Sequence, residues 1–132
     1  MGQTLATLGV LMDRVTLSVP AEAAFHGTLR LVVGGLGTRS QLSYEEVNEL
    51  QLSVESLVAH RAPVGERIQV EASLDGGTVS LAVGPFVPDE DAGGRRVVER
   101  LVRSARVVRR PDSGEWVELR AGGADDEGQR AP

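Results

Sequence analysis

The chain has 132 residues, enough for one domain with a hydrophobic core and too few for two domains of ordinary size. Hydrophobic residues make up 41% and charged residues 25%, but aromatic residues only 3%. The net charge of −5 and the few aromatic rings argue against nucleic acid and anionic membranes as partners, and the absence of cysteine excludes disulfides and thiolate chemistry.

Residues 1–12 form an N-terminal segment ahead of the predicted domain. The segment MGQTLATLGVLM lacks both a basic start and a long apolar run, so we expect neither a signal peptide nor a membrane span. The sequence therefore predicts a cytoplasmic protein.

The first predicted elements are a strand and a helix. Residues 14–19 alternate between polar and apolar, which predicts a half-buried strand that ends at Pro20. The following AEAAF begins a helix, in which Gly34, Gly35 and Gly37 either allow close packing or mark a frayed end. Helical spacing predicts one buried stripe, formed by Phe25, Leu29, Val32 and Leu36.

A second helix has clear boundary signals. Ser43 is followed three residues later by Glu46, the spacing of a capping box. Pro63 and Gly65 end the helix. Its predicted buried face consists of Val47, Leu50, Val54, Leu57 and Val58.

Two hairpins and a third helix complete the predicted domain, residues 13–121. Alternating residues 68–74 and 79–83 flank an Asp-Gly-Gly turn, and a second hairpin has PDSG as its turn. An acidic loop and a helix over 95–104 lie between the hairpins, and residues 122–132 are expected to be a disordered tail. The order β-α-α-β-β-α-β-β predicts an α+β, two-layer α/β sandwich, with a mixed, mostly antiparallel sheet and helices on one face.

Three segments carry a family resemblance: VTLSVPAEAAFHGTLRLVVGGL, LSYEEVNELQLSVES and VVERLVRSARVVRRPDSGEWVEL. With the element order, they resemble the bacterial anti-sigma-factor serine-protein kinases of the Bergerat-fold ATPase superfamily. The likeness covers residues 15–119 and implies a histidine-kinase-like ATPase fold with a shortened lid.

The catalytic helix of that family departs from its pattern here. The family motif is approximately Leu-Ala-Val-x-Glu-Ala-x-x-Asn, whose Glu polarises the attacking group and whose Asn binds magnesium. Aligned without gaps, these positions are Ser56 and His60; a hydroxyl is no carboxylate base, and imidazole is a poor magnesium ligand. A shift of one residue would make Glu55 the acid but would put Ala59 at the Asn position.

Two further nucleotide motifs are altered. The family's Asp-x-Gly, which binds the adenine amino group, corresponds to a region where Pro85 stands near the Asp position. The lid is reduced to residues 87–92, half of them acidic, before Gly93 and Gly94, whose amides precede a helix and could bind an anion. Ser56, His60, Pro85, Gly93 and Gly94 are thus vestigial nucleotide-binding positions by resemblance, and we expect no catalytic residue, cofactor or metal.

Half of the positive charge lies between residues 95 and 110. The first interpretation of this arginine cluster is a solvated face of a helix and a strand. The second is a docking surface for an acidic partner, and the third is a nucleic-acid contact. The candidate partner-binding residues are Arg95, Arg96, Arg100 and Arg103.

The resemblance implies a non-catalytic regulatory protein of anti-sigma-factor type. Its expected partners are a sigma factor or an anti-anti-sigma protein of STAS type, without direct nucleic-acid contact, and family members commonly form homodimers. One alternative is an active but divergent ATP-binding serine-protein kinase with Glu55 as its acid and the phosphates on Gly93 and Gly94. Another is an assembly module of a larger complex.

Overall fold

The structure is a computed structural model that describes residues 13–88 and 104–123. It contains five strands and two α-helices, and a short 3-10 helix, Ala23–Phe25, leads into the first of these. In chain order they are β1 (Asp13–Pro20), α1 (His26–Arg39), α2 (Tyr44–His60), β2 (Arg67–Asp75), β3 (Thr78–Phe86), β4 (Ser104–Arg110) and β5 (Gly114–Gly122). The α+β class and both hairpins are confirmed.

The strands form one sheet in the order β1-β2-β3-β5-β4. Every described pairing is antiparallel, whereas a mixed sheet was expected. The reason is the position of β5. Strands β3 and β4 run in the same direction, but β5 lies between them and pairs with both, so these two strands never become neighbours.

The core lies between the helices and one face of the sheet. Strand β2 alternates strictly, so that every second side chain is buried. Strands β3 and β5 also bury residues between the inward-facing ones, among them Ala82 and Trp116. The largest side chains that are almost completely buried are Phe86, Leu29, Leu50, Leu57, Leu81 and Leu119.

Helix α2 begins with the predicted capping box. The Ser43 hydroxyl accepts a hydrogen bond from the Glu46 amide at 3.1 Å, and the Glu46 carboxylate accepts one from the Ser43 amide at 2.9 Å. Leu50, Val54 and Leu57 are buried as predicted, while Val47 and Val58 are half-buried. The helix is therefore fixed at its start by local chemistry and along its length by the core.

The buried row of α1 differs from the predicted stripe. Leu29 is buried, but the row continues through Val33 and Gly37 rather than through Val32 and Leu36, which are half-buried. Gly37 faces α2, where a Cβ atom would lie 2.9 Å from Cγ2 of Val47. Close packing, not fraying, explains this glycine.

The predicted third helix lies outside the described residues except for its last position. Ser104 begins β4 and pairs with Arg120, so a helix does not extend to it. Strand β5 reaches Gly122, one residue past the predicted domain end, and the N-terminal segment and residues 124–132 are also outside the described part. Within residues 13–88 and 104–123, neither helix has the length and hydrophobicity needed to cross a membrane.

Candidate functional site

Ser56 and His60 lie one turn apart near the end of α2. The Ser56 hydroxyl oxygen is buried and has no hydrogen-bond partner within the described part of the chain. His60 is exposed, and its Nδ1 atom lies 2.9 Å from the Ser56 carbonyl oxygen, a hydrogen bond when Nδ1 carries the proton. The two positions thus offer a hydroxyl and a backbone-bonded imidazole, which is neither a general base of carboxylate type nor an oxygen ligand set for magnesium.

Pro85 lies near the end of β3, after a cis Gly84-Pro85 peptide bond. Its carbonyl oxygen accepts a hydrogen bond from the Val64 amide at 3.1 Å, and the Val87 amide donates one to the Ala62 carbonyl at 2.8 Å. The chain that follows α2 is therefore tied to the end of β3. No side-chain acceptor for an adenine amino group stands at position 85.

A buried ion pair between Arg61 and Glu115 lies beside these positions. One guanidinium nitrogen (Nη2) of Arg61 lies 2.7 Å from Oε1 of Glu115 and donates to the Val87 carbonyl at 3.1 Å. The guanidinium carbon is 5.2 Å from the centroid of the Phe86 ring, within cation–π range. The two side chains are only 4% and 9% exposed.

Glu115 also binds Arg109, a neighbour across the hairpin. Nη2 of Arg109 lies 3.1 Å from Oε2 of Glu115, and its side chain is 69% exposed. The ion cluster of Arg61, Glu115 and Arg109 therefore joins the end of α2 to β5 and β4 and leads from the interior to the surface. Sequence reasoning missed Arg61 and Glu115, since 54 residues separate them and neither belongs to a local motif.

Glu55, the alternative acid, faces the other helix. Its Oε1 atom accepts a hydrogen bond from Nη1 of Arg30 at 2.9 Å, and Gln51 nearby donates to the Arg30 carbonyl at 3.0 Å. These contacts place Glu55 at the α1–α2 interface. That position disfavours a catalytic role beside Ser56 and His60.

The other residues of the arginine cluster and the remaining predicted site residues divide into two groups. Arg106, Arg109 and Arg110 lie on β4 and form ion pairs with Glu118, Glu115 and Glu71, respectively. Those three arginines fit the solvated strand face better than a free docking surface. The others lie outside the described residues: Gly93, Gly94, Arg95, Arg96, Arg100 and Arg103. Among the described residues, no group of three or more His, Asp or Glu side chains could hold a metal ion.

Comparison with known proteins gives a structural match only. No family model matches the chain, and no curated protein matches it. Twelve chains of solved structures match, among them the crystal structure of the RsbU and RsbW domains of Rv1364c from Mycobacterium tuberculosis, with a TM-score of 0.61 and 17% sequence identity. The shared fold is that of the RsbW domain.

The match covers 83% of this chain and 31% of the Rv1364c chain. The protein thus spans about a third of the chain that it resembles. The α+β fold of this chain is consistent with the RsbW-type fold, and that fold agrees with the sequence resemblance described above.

Proposed function

We propose that this protein is a non-catalytic regulator of anti-sigma-factor type that acts by binding other proteins. Two independent lines support the proposal: the sequence resemblance to anti-sigma-factor kinases and the RsbW-type fold. Its partners are a sigma factor or an anti-anti-sigma protein of STAS type. Without a kinase step, competition between partners, or the enzyme activity of another protein, performs the switching.

The main support for a protein without kinase activity is the ion cluster of Arg61, Glu115 and Arg109, which lies beside the vestigial positions. Arg61 directly follows His60, and its guanidinium binds Glu115 and the Val87 carbonyl near the end of β3. A ligand that entered here would have to separate a buried ion pair, which typically costs several kcal/mol. The cluster thus engages its polar groups in contacts within the protein, while Ser56, His60 and Pro85 lack the carboxylates and the amide that the family resemblance would require for nucleotide binding.

The divergent-kinase alternative depends on Glu55 as its acid. Arg30 holds this carboxylate in an ion pair at the interface of the two helices, so Glu55 is already engaged within the protein. The non-catalytic proposal therefore accounts for more of the described contacts.

A binding experiment tests the proposal directly. Each sigma factor and STAS protein encoded in the source genome is titrated against this protein by calorimetry, with and without magnesium and ATP. We expect at least one complex, with an affinity that nucleotide does not change, and no phosphoserine on the STAS protein by mass spectrometry. Nucleotide-dependent binding or phosphoryl transfer would favour the kinase alternative. If none of the sigma factors and STAS proteins bound, the proposal of an anti-sigma-type regulator would be refuted.

The same samples answer the question of assembly. Light scattering after gel filtration measures the mass of the free protein and of each complex. We expect a homodimer for the free protein, as the resemblance implies; a monomer at all concentrations would contradict that part of the proposal.

A further inference from the structure

The face of the sheet opposite the helices carries an open hollow of about 370 Å³, which we call the outer hollow. Strand register explains its floor, since Arg14, Ser73 and Ser80 are cross-strand partners on β1, β2 and β3. The residues on either side of Ser73 and of Ser80 are buried, so the two serines lie on the outward face. The serines are short and Arg14 is long, so Arg14 forms a raised rim beside a low floor.

One wall of the outer hollow is rigid. Arg110 donates two hydrogen bonds to Glu71, each 3.1 Å long, and its guanidinium carbon lies 3.8 Å from the centroid of the Trp116 ring. The ring in turn lies against Gly84, where a Cβ atom would be 2.8 Å from Cδ2 of Trp116. Because these contacts hold Arg110 in place, the wall does not close over the serines.

Arg14 is the side chain of the outer hollow that is available to a ligand. It is exposed, and within residues 13–88 and 104–123 it makes no hydrogen bond or ion pair. The other three arginines of the lining are engaged already: Arg106 and Arg110 form ion pairs, and Arg120 also has an interaction partner. The available positive charge of this surface therefore lies on Arg14 alone.

The serine hydroxyls beside Arg14 are available as well. Neither Ser73 nor Ser80 forms a side-chain hydrogen bond in the part of the chain that the structure describes. On the same two strands, by contrast, Arg67 donates to the Ser18 hydroxyl at 2.8 Å and to the Ser18 carbonyl at 3.0 Å. Internal contacts thus satisfy one arginine and serine of β1 and β2 and leave the donors of Arg14 and Ser73 open.

We propose that the outer hollow docks an acidic side chain of a partner protein. A guanidinium binds a carboxylate through two parallel hydrogen bonds, which Arg14 supplies. The Ser73 or Ser80 hydroxyl donates a third to the same carboxylate. The outer hollow lies across the sheet from the helix that holds Ser56 and His60, so this docking does not depend on the proposed function.

The open shape of the hollow favours a protein as the partner. A small-molecule site usually buries most of the surface of its ligand, which a hollow on one face of a sheet cannot do. A protein that lies on the sheet covers the hollow with its own surface and excludes water. Charge-assisted hydrogen bonds to Arg14 become stronger in such an environment.

The glutamates of the lining limit the number of acidic groups that fit. Glu71 and Glu118 lie two residues further along their strands than Ser73 and Arg120, about 7 Å away. Although each is paired with an arginine, they disfavour a second carboxylate beside the first. A single acidic side chain between neutral ones therefore fits the outer hollow better than an acidic run.

Two-dimensional NMR of the full chain, titrated with synthetic peptides, tests the proposal. The probe is acetyl-Ser-Thr-Glu-Thr-Ser-amide, and the matched peptide has Gln in place of Glu. We expect the Glu peptide to move the Arg14 Nε–H signal and the Ser73 and Ser80 amides, with a Kd on the order of millimolar, and the Gln peptide to move none of them. Sodium acetate should bind at least about tenfold more weakly, because it makes no contact beyond its carboxylate.

Two variants show whether Arg14 is responsible. Arg14→Gln should abolish the shifts of the Ser73 and Ser80 amides. The control is Arg39→Gln, which removes the same charge from an exposed side chain on α1 and should leave the shifts unchanged.

Four results would overturn the proposal. Shifts of the serine amides that persist in Arg14→Gln, or that the Gln peptide also causes, would show that no carboxylate binds Arg14. Equal affinity for acetate would indicate a site for small anions rather than for a protein. A pentaglutamate peptide that bound more than about tenfold more tightly than the probe would indicate general charge attraction rather than a site for one carboxylate.

Discussion

At the scale of single residues, the buried pair of Arg61 and Glu115 is the contact on which the proposed loss of nucleotide binding depends most. Replacing Arg61 with Met removes the positive charge and takes from the buried Glu115 its buried ionic partner, while the exposed Arg109 remains. Removing one member of a buried pair typically costs about 3–5 kcal/mol of unfolding free energy. Because Arg109 remains, we expect a loss of about 3 kcal/mol of unfolding free energy, at the lower end of this range, measured by chemical denaturation.

The control for this prediction is an exposed pair on the same sheet. Arg106 and Glu118 are 2.9 Å apart, but their side chains are 75% and 38% exposed. Solvent screens such a pair, so Arg106→Gln should cost about 0–1 kcal/mol. Equal losses of unfolding free energy in the two variants would show that the buried Arg61–Glu115 pair stabilises the protein no more than an exposed pair does.

At the scale of elements, the contact of α1 with α2 depends on a glycine. A Cβ atom at position 37 would lie 2.9 Å from Cγ2 of Val47 and 3.3 Å from Cδ1 of Leu42. Gly37→Ala should therefore lower the unfolding free energy by about 1–3 kcal/mol, the usual cost of overpacking, even though alanine favours helices. Thermal and chemical denaturation measure the change.

Gly35, on the same helix, is the matched control. It is exposed, and a Cβ atom there would meet nothing within 4 Å. Gly35→Ala should therefore stabilise the protein, by up to about 1 kcal/mol of helix propensity. A loss of stability at position 35, or none at position 37, would refute this account of helix packing.

The elements also show why sequence predicted some features and not others. Turn glycines, the capping box of Ser43 and Glu46 and strand alternation are local signals, and they predicted the hairpins and the start of α2 correctly. The buried row of α1 was misplaced because packing against α2, not helical period alone, determines which side faces inward. Arg61 and Glu115 had no local signal at all.

At the scale of the whole molecule, the fold agrees with the family resemblance, whereas the residues at the expected nucleotide-binding positions do not. The family resemblance of the sequence implies nucleotide chemistry, but Ser56, His60 and Pro85 do not supply the groups that the resemblance requires. The buried Arg61–Glu115 pair adds an energetic argument against nucleotide binding, because a nucleotide that entered beside it would have to separate the pair. The central proposal is that the protein functions without ATP.

Calorimetric titration of the purified protein with magnesium and ATP, up to millimolar nucleotide, tests this claim most directly. We expect no binding heat and no change in melting temperature, since a ligand that does not bind cannot stabilise the native state. ATP binding with a Kd below about 100 μM would mean more than 5 kcal/mol of affinity in contacts that the described residues do not provide. That result would contradict the loss of the nucleotide site and favour the divergent kinase.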